Sequence, residues 1–408
     1  MSINPSVIAI PVYFLLIGIE FIIHRVNATK SYNLKDAMTN INCGVVSQIT
    51  GAFLMVILFN AYTYMEANYG LFHIPMVWWA FPVAFITFDF MYYWAHRLSH
   101  EINLFWGGHS VHHQSEEYNL SVALRQSSTQ ILWTFLFYLP IALLGVDPIV
   151  FIVAQGINLV YQFWIHTESI SKMPKWFEAV FNTPSHHRVH HARNPKYIDK
   201  NHAGTLIIWD KLFGSFAAEE ERPQYGITKP LKSWNPVWAN FAHYTEIYKN
   251  LKRIPKLKDK LRLLVNKPGW QPEYLGGYQP APEIDPNYKK FQNRTSTRLN
   301  LYVIIQFVVI MLTTLSFLYF LTEMDIAQKV ISAILIIFSV ASFGLLFEHR
   351  KWSRGLEVIR IVFMSIGFVY IFGGLNPGFT LLIIALVYLL SSSIWFKTTR
   401  QKAVTLST

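Results

Sequence analysis

The chain contains nine apolar runs, each close to the length of about 20 helical residues that crosses a hydrocarbon core of about 30 Å. They lie at Ser6–Ile23, Gly44–Tyr64, Met76–Ala95, Thr129–Val146, Pro148–Ile165, Leu299–Leu321, Ile326–Phe347, Gly355–Gly374 and Pro377–Phe396. The runs predict an all-α, polytopic integral membrane protein with about nine transmembrane helices. Only the turn at residues 145–148 separates the fourth and fifth runs, so this pair is either a full hairpin or a re-entrant pair that enters the membrane partway.

The positive charges between the runs indicate the orientation, because cytoplasmic loops of membrane proteins carry an excess of Lys and Arg. With the N-terminus outside, 34 of the 35 Lys and Arg residues lie on the inner side, and only Lys329 lies on the other. The outer loops carry the acids Glu66, Asp147, Glu323 and Asp325. The sequence therefore predicts an outside N-terminus, a cytoplasmic C-terminus and nine crossings.

The composition of the 408 residues agrees with a membrane location, since 52% are hydrophobic and only 14% are charged. The mean hydropathy is +0.27. These values exclude disordered, collagen-like and coiled-coil proteins, and they are poor for soluble domains. The inner loops account for the net charge of +11, so it does not indicate nucleic acid. With Cys43 as the one cysteine, any metal must be held by nitrogen and oxygen ligands.

The longest inner segment, residues 166–298, is expected to form a cytoplasmic cap. Residues 1–298 are expected to form a catalytic region of five membrane helices and this cap, and residues 299–408 a C-terminal region of four membrane helices. Within the cap, the segment Trp234–Trp270 mixes basic and apolar residues. This segment forms either amphipathic helices on an anionic membrane surface or an ordinary solvated face.

Eight of the 15 histidines fall in three short clusters between residues 96 and 191. The clusters are His96 and His100, then His109, His112 and His113, and finally His187, His190 and His191. Spacings of three and four residues place the imidazoles of a cluster on one helical face, where each stripe can bind a metal. Eight imidazoles exceed the ligands of a typical single-ion site, so two metal ions are expected.

Four further residues are candidates for supporting roles. His166 ends the fifth run at the same inner depth and is expected to be a ninth ligand. His186 adjoins the third cluster but faces off its stripe, so it is a possible ligand, and His202 stands alone. Asp89 precedes His96 on the same helical face and is expected to orient a ligand imidazole, unless it binds a neighbouring span instead.

The missing motifs narrow the choice of metal. The chain has neither the Glu-x-x-His pairs of ferritin-like di-iron sites nor the HExxH motif of zinc proteases. Imidazole-rich coordination suits iron, copper or zinc. A two-metal site at the inner membrane surface, beside helices that could hold a lipid tail, favours iron that activates dioxygen. A metal transporter is the alternative of another class, but it would place ionisable ligands in the middle of several spans.

Several stretches around the clusters resemble the membrane fatty acid hydroxylase superfamily, whose members carry HxxxH, HxxHH and HxxHH boxes around a di-iron centre. The stretches are Phe88–Glu101, His109–Ser121, Ala123–Gln126, His166–Glu168, Asn182–His191, Asp199–Asn201 and Leu206–Asp210. The Glu-Tyr-Asn-Leu-Ser and Ile-Ile-Trp-Asp segments resemble a narrower group, the tetrahydrobiopterin-dependent enzymes that cleave ether lipids. The resemblance covers roughly the first 285 residues. Relatives usually carry an aromatic residue at the position of His202, so no role is transferred to it.

This resemblance implies two iron ions (Fe²⁺), which zinc could replace in a purified sample. The implied ligands are His96, His100, His109, His112, His113, His166, His187, His190 and His191. Asp89, Glu101 and Glu117 would orient ligands, and Tyr118, Asn119 and Arg125 would contact the lipid headgroup or the pterin.

The implied reaction uses O2 and a reduced pterin, tetrahydrobiopterin, to hydroxylate the carbon next to the ether oxygen of an alkylglycerol lipid. A fatty aldehyde and a glycerol derivative result. The alternative within enzymes is a hydroxylase or desaturase of a sterol, a carotenoid or a fatty acyl chain, with electrons from a separate electron-transfer protein. The sequence makes no prediction about the oligomeric state.

Overall fold

A computed structural model describes residues 5–29, 31–373 and 378–399, and these residues are helical apart from turns and loops. The extended backbone in the described ranges makes only isolated β-bridges and no strand, which confirms the all-α prediction. The prediction that the eighth run ends at Gly374 and the ninth begins at Pro377 falls outside the described residues, as do Lys30, Arg400 and Lys402 of the charge pattern.

Sixteen α-helices follow one another along the described chain. In order, α1 to α16 are Pro5–Val26, Leu34–Tyr69, Ala80–Glu101, Asn103–His113, Leu120–Ala123, Ile131–Leu143, Pro148–Trp164, Lys175–Val180, Pro184–His190, Ile208–Leu212, Pro236–Arg253, Leu257–Val265, Thr297–Tyr319, Ile326–Phe347, Ser353–Gly373 and Phe379–Thr398. Short 3₁₀ turns lie at Pro195–Tyr197 and Glu273–Leu275.

Five helices, α1, α2, α13, α14 and α16, are long and apolar enough to cross a membrane. Helices α6 and α7 have 13 and 17 residues, or about 20 and 26 Å at about 1.5 Å per residue. Both are shorter than a hydrocarbon core of about 30 Å, which favours the re-entrant alternative for this pair. Five candidate spans are therefore confirmed, and the count of nine crossings stays a prediction.

Helix α2 is much longer than the apolar run that predicted it. It has 36 residues and begins at Leu34, ten positions before the run, with the side chain of Asn33 accepting the Lys35 and Asp36 N–H groups as an N-cap. The early turns are polar but buried, and there Asn40 donates to both Asp36 and Ser121. Helix α2 therefore begins with polar turns that are buried inside the protein and continues into the apolar half that the sequence predicted.

The described chain divides into two compact units. The first unit runs from Leu15 to Lys232 and from Trp238 to Lys290, and it contains all nine histidines expected as ligands. The second unit contains the start of α1 up to Phe14, Ser233–Val237 and the chain from Phe291 onward.

Within the first unit, α3 is packed between α6 and α7 by aromatic rings. The ring of Phe88 stacks on Tyr138 at 4.8 Å and lies 5.8 Å from Phe151. The Tyr62 hydroxyl from α2 donates to the carbonyl of Val146 in the turn between α6 and α7. This core fixes α3, the helix that carries the first histidine cluster at its end.

Candidate metal centre

The three histidine clusters lie on helices, as their spacing predicts. His96 and His100 occupy the last turns of α3, the second cluster ends α4, and the third lies on α9 with His191 directly after it. Only Ile102 separates α3 from α4. At the middle of α4, a Cβ on Gly108 would come within 2.4 Å of the Trp133 ring, so glycine allows α4 to approach α6.

The structure brings all nine histidines into two adjoining groups of ring nitrogens. The five-histidine group contains His96, His100, His109, His113 and His190. The four-histidine group contains His112, His166, His187 and His191. All nine side chains are buried. The second and third clusters are each divided between the two groups, whereas His96 and His100 both belong to the five-histidine group.

The spacing of the ring nitrogens suits a bound transition metal. The Nε2 atom of His109 lies 2.9 Å from that of His96 and 3.1 Å from that of His113. In the other group, the Nε2 atom of His166 lies 3.2 Å from that of His112 and 3.0 Å from that of His187. Two nitrogens at right angles around one ion, each about 2.1 Å from it, would be about 3.0 Å apart.

In five of these imidazoles, the Nδ1 atom lies within hydrogen-bond distance of a carbonyl or amide oxygen of the protein. The Nδ1 atoms of His96, His112, His166 and His190 lie 2.6 to 2.9 Å from the carbonyl oxygens of His202, Arg125, Gln162 and Lys200. The Nδ1 atom of His109 lies 3.1 Å from the side-chain oxygen of Gln130. A proton on Nδ1 leaves the Nε2 lone pair free, which is the tautomer that a metal requires.

Burial keeps the imidazoles outside the helical spans neutral. Desolvation lowers the pKa of His112 to about 4 and that of His190 to about 3. Desolvation, and then the neighbouring histidines, also lowers the pKa values of His113 and His187 well below the ordinary value. Neutral imidazoles are metal ligands, whereas protonated ones are not.

Unpartnered nitrogen atoms also indicate that the groups accept a ligand from outside the chain. The Nε2 atoms of His100 and His190 are buried and make no hydrogen bond to any described residue. Leaving a buried polar atom unpaired costs about 1 to 3 kcal/mol. A metal ion would satisfy both atoms, so the residues present fit a two-metal centre made wholly of imidazoles.

Two aspartates shape the loop that orients His96. Asp89 accepts hydrogen bonds from the backbone N–H groups of Thr205 and Leu206, from the Trp209 indole and from Asn158 of α7. Its bonds go to this loop and to a neighbouring helix instead of to an imidazole. Asp210 accepts from the N–H groups of residues 202 and 203. Both carboxylates therefore bind the loop whose residue 202 carbonyl faces the Nδ1 atom of His96.

The remaining candidates from the sequence lie beside the groups or away from them. Glu101 pairs with Arg97, and Glu117 pairs with Lys290 at 2.5 Å. The Tyr118 ring lies 5.3 Å from the ring of His191, and its hydroxyl donates to the carbonyl of Ile165.

Two other candidates are buried in polar networks. Asn119 donates to the carbonyl of Ser31, and Arg125 donates to Val111, Asn40 and Gln114. The His186 ring packs against Phe216, outside both groups.

Sequence reasoning assigned no role to three residues at or near the centre. Gln130 orients His109, and no motif marks it. Asn103 starts α4 and binds α11 and α12 at once, a role visible only in three dimensions. His202 lies 5.0 Å from the His100 ring, and both of its ring nitrogens are buried. Desolvation, and then the neighbouring His190, lowers the pKa of His202 well below its ordinary value.

A cavity of about 900 Å³ leads to the two groups from the side of α11 and α12. Its inner wall includes His100, His113, His190 and His191, with Trp106 beside them. The rest of the lining comes mainly from α11, α12 and residues 226–231, 267–271 and 278–282. The cavity has room for a substrate of drug or lipid size directly beside the imidazoles.

Comparison with known proteins gives relatives for most of the chain. The family model described as fatty acid hydroxylase matches residues 81–215. Alkylglycerol monooxygenase from Homo sapiens is 38% identical over 378 residues, covering 90% of this chain and 83% of that protein. The Danio rerio protein of the same name is 36% identical and also covers 90% and 83%. Ornithine lipid hydroxylase from Rhizobium tropici is 28% identical over 142 residues, 33% of this chain and 43% of that protein. No solved structure matches.

Proposed function

Since the chain belongs to the fatty acid hydroxylase family and is an oxygenase of the kind found among the alkylglycerol monooxygenases, we propose that it cleaves alkylglycerol ether lipids. The observation that carries the proposal is the pair of imidazole groups within a chain that is similar to these relatives over most of its length. The substrate would be hydroxylated at the carbon next to the ether oxygen. The resulting hemiacetal breaks into a fatty aldehyde and a glycerol derivative.

The five-histidine and four-histidine groups would each hold one iron ion. Bound iron would supply the activation of dioxygen, which inserts one oxygen atom into the C–H bond and releases the other as water. The insertion consumes two electrons and two protons. We propose a reduced pterin, tetrahydrobiopterin, as the electron source, with an external electron-transfer protein as the alternative.

The chain's own residues would supply position and a dry environment. The carbonyl oxygens behind the imidazoles hold the rings in one orientation, and Gln130 does the same for His109. The imidazoles are buried, and the cavity reaches His100, His113, His190 and His191. Exclusion of water protects a strong oxidant from side reactions. Trp106 and the other walls of the cavity would place one substrate carbon beside the groups.

Hydroxylation of a different lipid is the second candidate. The ornithine lipid hydroxylase is similar to this chain over 33% of this chain's length. Relatives of that shared region therefore act on more than one kind of lipid, and the region alone does not identify the substrate. The whole-length similarity favours the alkylglycerol over a sterol, a carotenoid or a fatty acyl chain.

The test is reconstitution of the purified protein with ferrous iron under anaerobic conditions, followed by air, tetrahydrobiopterin and a 1-O-alkylglycerol. Mass spectrometry follows the fatty aldehyde. His112→Ala should abolish the product, whereas the exposed His73→Ala should not change it. An iron-loaded, folded protein that forms no aldehyde from the alkylglycerol but hydroxylates an ornithine lipid would overturn the proposal.

A further inference from the structure

Helices α11 and α12 carry apolar side chains with large exposed fractions. On α12, Leu257, Leu261 and Val265 are 71%, 57% and 60% exposed, and their spacing of four residues places them on one face. The opposite face buries Leu263. On α11, Trp238, Phe241 and Tyr248 are also exposed. Contiguous exposed apolar surface indicates a contact with something outside the chain.

The charge around this surface selects an anionic partner. Residues 236–267 contain eight Lys and Arg residues but only two acids. Lys252 lies 4.4 Å above the ring of the exposed Tyr248, so basic and apolar groups are interleaved. An amphipathic helix of this kind inserts its apolar face into the headgroup region while its cations contact anionic lipids.

The two helices lie beside the end of α3, which the sequence predicts to be a membrane span. Asn103, the first residue of α4, donates through its backbone N–H to the carbonyl of Asn266 and through its side chain to that of Leu263. The side-chain oxygen of Asn103 lies 2.8 Å from the His243 ring nitrogen of α11. Both helices are therefore attached where α3 ends and the histidine helix α4 begins.

We propose that α11 and α12 dock on the anionic surface of the bilayer, so that the cavity they line opens at the level of the lipid headgroups. Trp238 and Ile247 of α11 and Leu263 of α12 line this cavity, which reaches His100 and His113. A lipid can then move sideways from the bilayer to the histidines without crossing water. This second step rests on the proposed function, whereas the docking itself does not.

Single-cysteine labelling tests the docking. Cys43 is fully buried, and in a Cys43→Ser background we compare Leu261→Cys with its neighbour Arg262→Cys, which lies about 100° around the helix. Each carries an environment-sensitive fluorophore in metal-loaded, full-length protein in nanodiscs of phosphatidylcholine with phosphatidylglycerol. We expect acyl-brominated lipids to quench the Leu261 label severalfold more than the Arg262 label. Omitting phosphatidylglycerol, or combining Lys256→Gln, Lys258→Gln and Lys260→Gln, should reduce this quenching.

Two results would overturn the docking. Equal lipid quenching of both labels, together with free access of aqueous iodide to the Leu261 label, would show that α12 is solvated. Protection of the Leu261 label from both quenchers would show that a protein partner, including a second copy, covers the surface.

Activity tests the lipid route separately. Leu257→Ser with Leu261→Ser should raise the KM for a long-chain alkylglycerol in bilayers by about tenfold, with kcat and the turnover of a short, water-soluble alkylglycerol unchanged. An unchanged bilayer KM would overturn the sideways route. If the protein shows the expected quenching pattern but turns over neither alkylglycerol, the docking proposal stands and only the proposed function is contradicted.

Discussion

Single residues behind the imidazoles are expected to control metal affinity. Gln130 accepts from the Nδ1 side of His109 without touching the metal side, and loss of such a partner typically weakens metal binding 10- to 100-fold. We expect Gln130→Ala to weaken one of two metal-binding events by about that factor. Competition of Co²⁺ or Zn²⁺ against a chelating dye measures it. Gln126→Ala, an exposed neighbour, is the control. Equal affinities in both variants would show that Gln130 has no orienting role.

The buried imidazoles should make the metal-free protein sensitive to acid. Their pKa values fall to about 4 for His112 and about 3 for His190, whereas the ordinary value is 6.5. Between those values the unfolded chain binds more protons than the folded chain, so the free energy of unfolding decreases as the pH falls. The stability that depends on these neutral imidazoles is fully present above pH 6.5 and is lost progressively as the pH falls below that value. We expect the Tm in one detergent to fall steeply from pH 6.5 to 4. A Tm that is constant over this range would contradict the neutral assignment.

The residue scale also shows what a sequence can and cannot reveal about this site. His109, His112 and His113 were predictable as neighbours because helical spacing alone places them together. The assignment of His112 to one group and His109 to the other was not predictable, since it depends on how α4 and α9 face each other. Three partners of Asp89, at residues 205, 206 and 209, lie more than a hundred residues away along the chain, and the fourth, Asn158, lies 69 residues away. Local periodicity carries no information about such contacts.

At the scale of elements, the approach of α4 to α6 depends on Gly108. A methyl group there would meet the ring of Trp133 at 2.4 Å, and overpacking of this kind costs about 1 to 3 kcal/mol. We expect Gly108→Ala to lower the Tm and to weaken metal binding, because α4 carries three of the histidines.

The matched control is Gly156→Ala in α7, where nothing lies within 4 Å of the added methyl group. Alanine is favoured over glycine in a helix by about 1 kcal/mol, so this variant should be neutral or more stable. A larger loss of Tm in Gly156→Ala than in Gly108→Ala would show that the packing of α4 on α6 is not the limiting contact.

The lengths of elements were less predictable than their existence. The hydropathy pattern predicted the apolar half of α2 but not its polar beginning. The first turns contain polar residues such as Asp36 and Asn40, which are buried although residues of these types usually lie on the protein surface. The same limit applies to α3, which continues beyond its apolar run to Glu101 and so carries the first two histidines.

In the second unit, a buried ion pair joins its helices. Glu357 and Arg360 on α15 are fully buried and 2.6 Å apart, with Tyr302 of α13 and Ser342 of α14 also bound to Glu357. Removing one partner of a buried pair leaves an uncompensated charge and costs about 3 to 5 kcal/mol. We expect Arg360→Met to lower the Tm strongly and Glu357→Gln with Arg360→Met to restore most of it. Equal Tm values for the single and double variants would contradict this account.

At the scale of the whole molecule, the distribution of Lys and Arg predicts an outside N-terminus and an inside C-terminus. Tags at the two termini, probed with a membrane-impermeant reagent in sealed cells, should therefore be labelled at the N-terminus only. Labelling of both tags would require an even number of crossings and would contradict the count of nine.

The division of the histidines between the two groups has a consequence for biogenesis. Each group takes ligands from early and late parts of the chain, and neither is complete before residues 187–191 have left the ribosome. A nascent chain that presents only the first two clusters holds four ligands of one group and a single ligand of the other. Both groups can therefore be completed only late in synthesis, when most of the first unit has already been made.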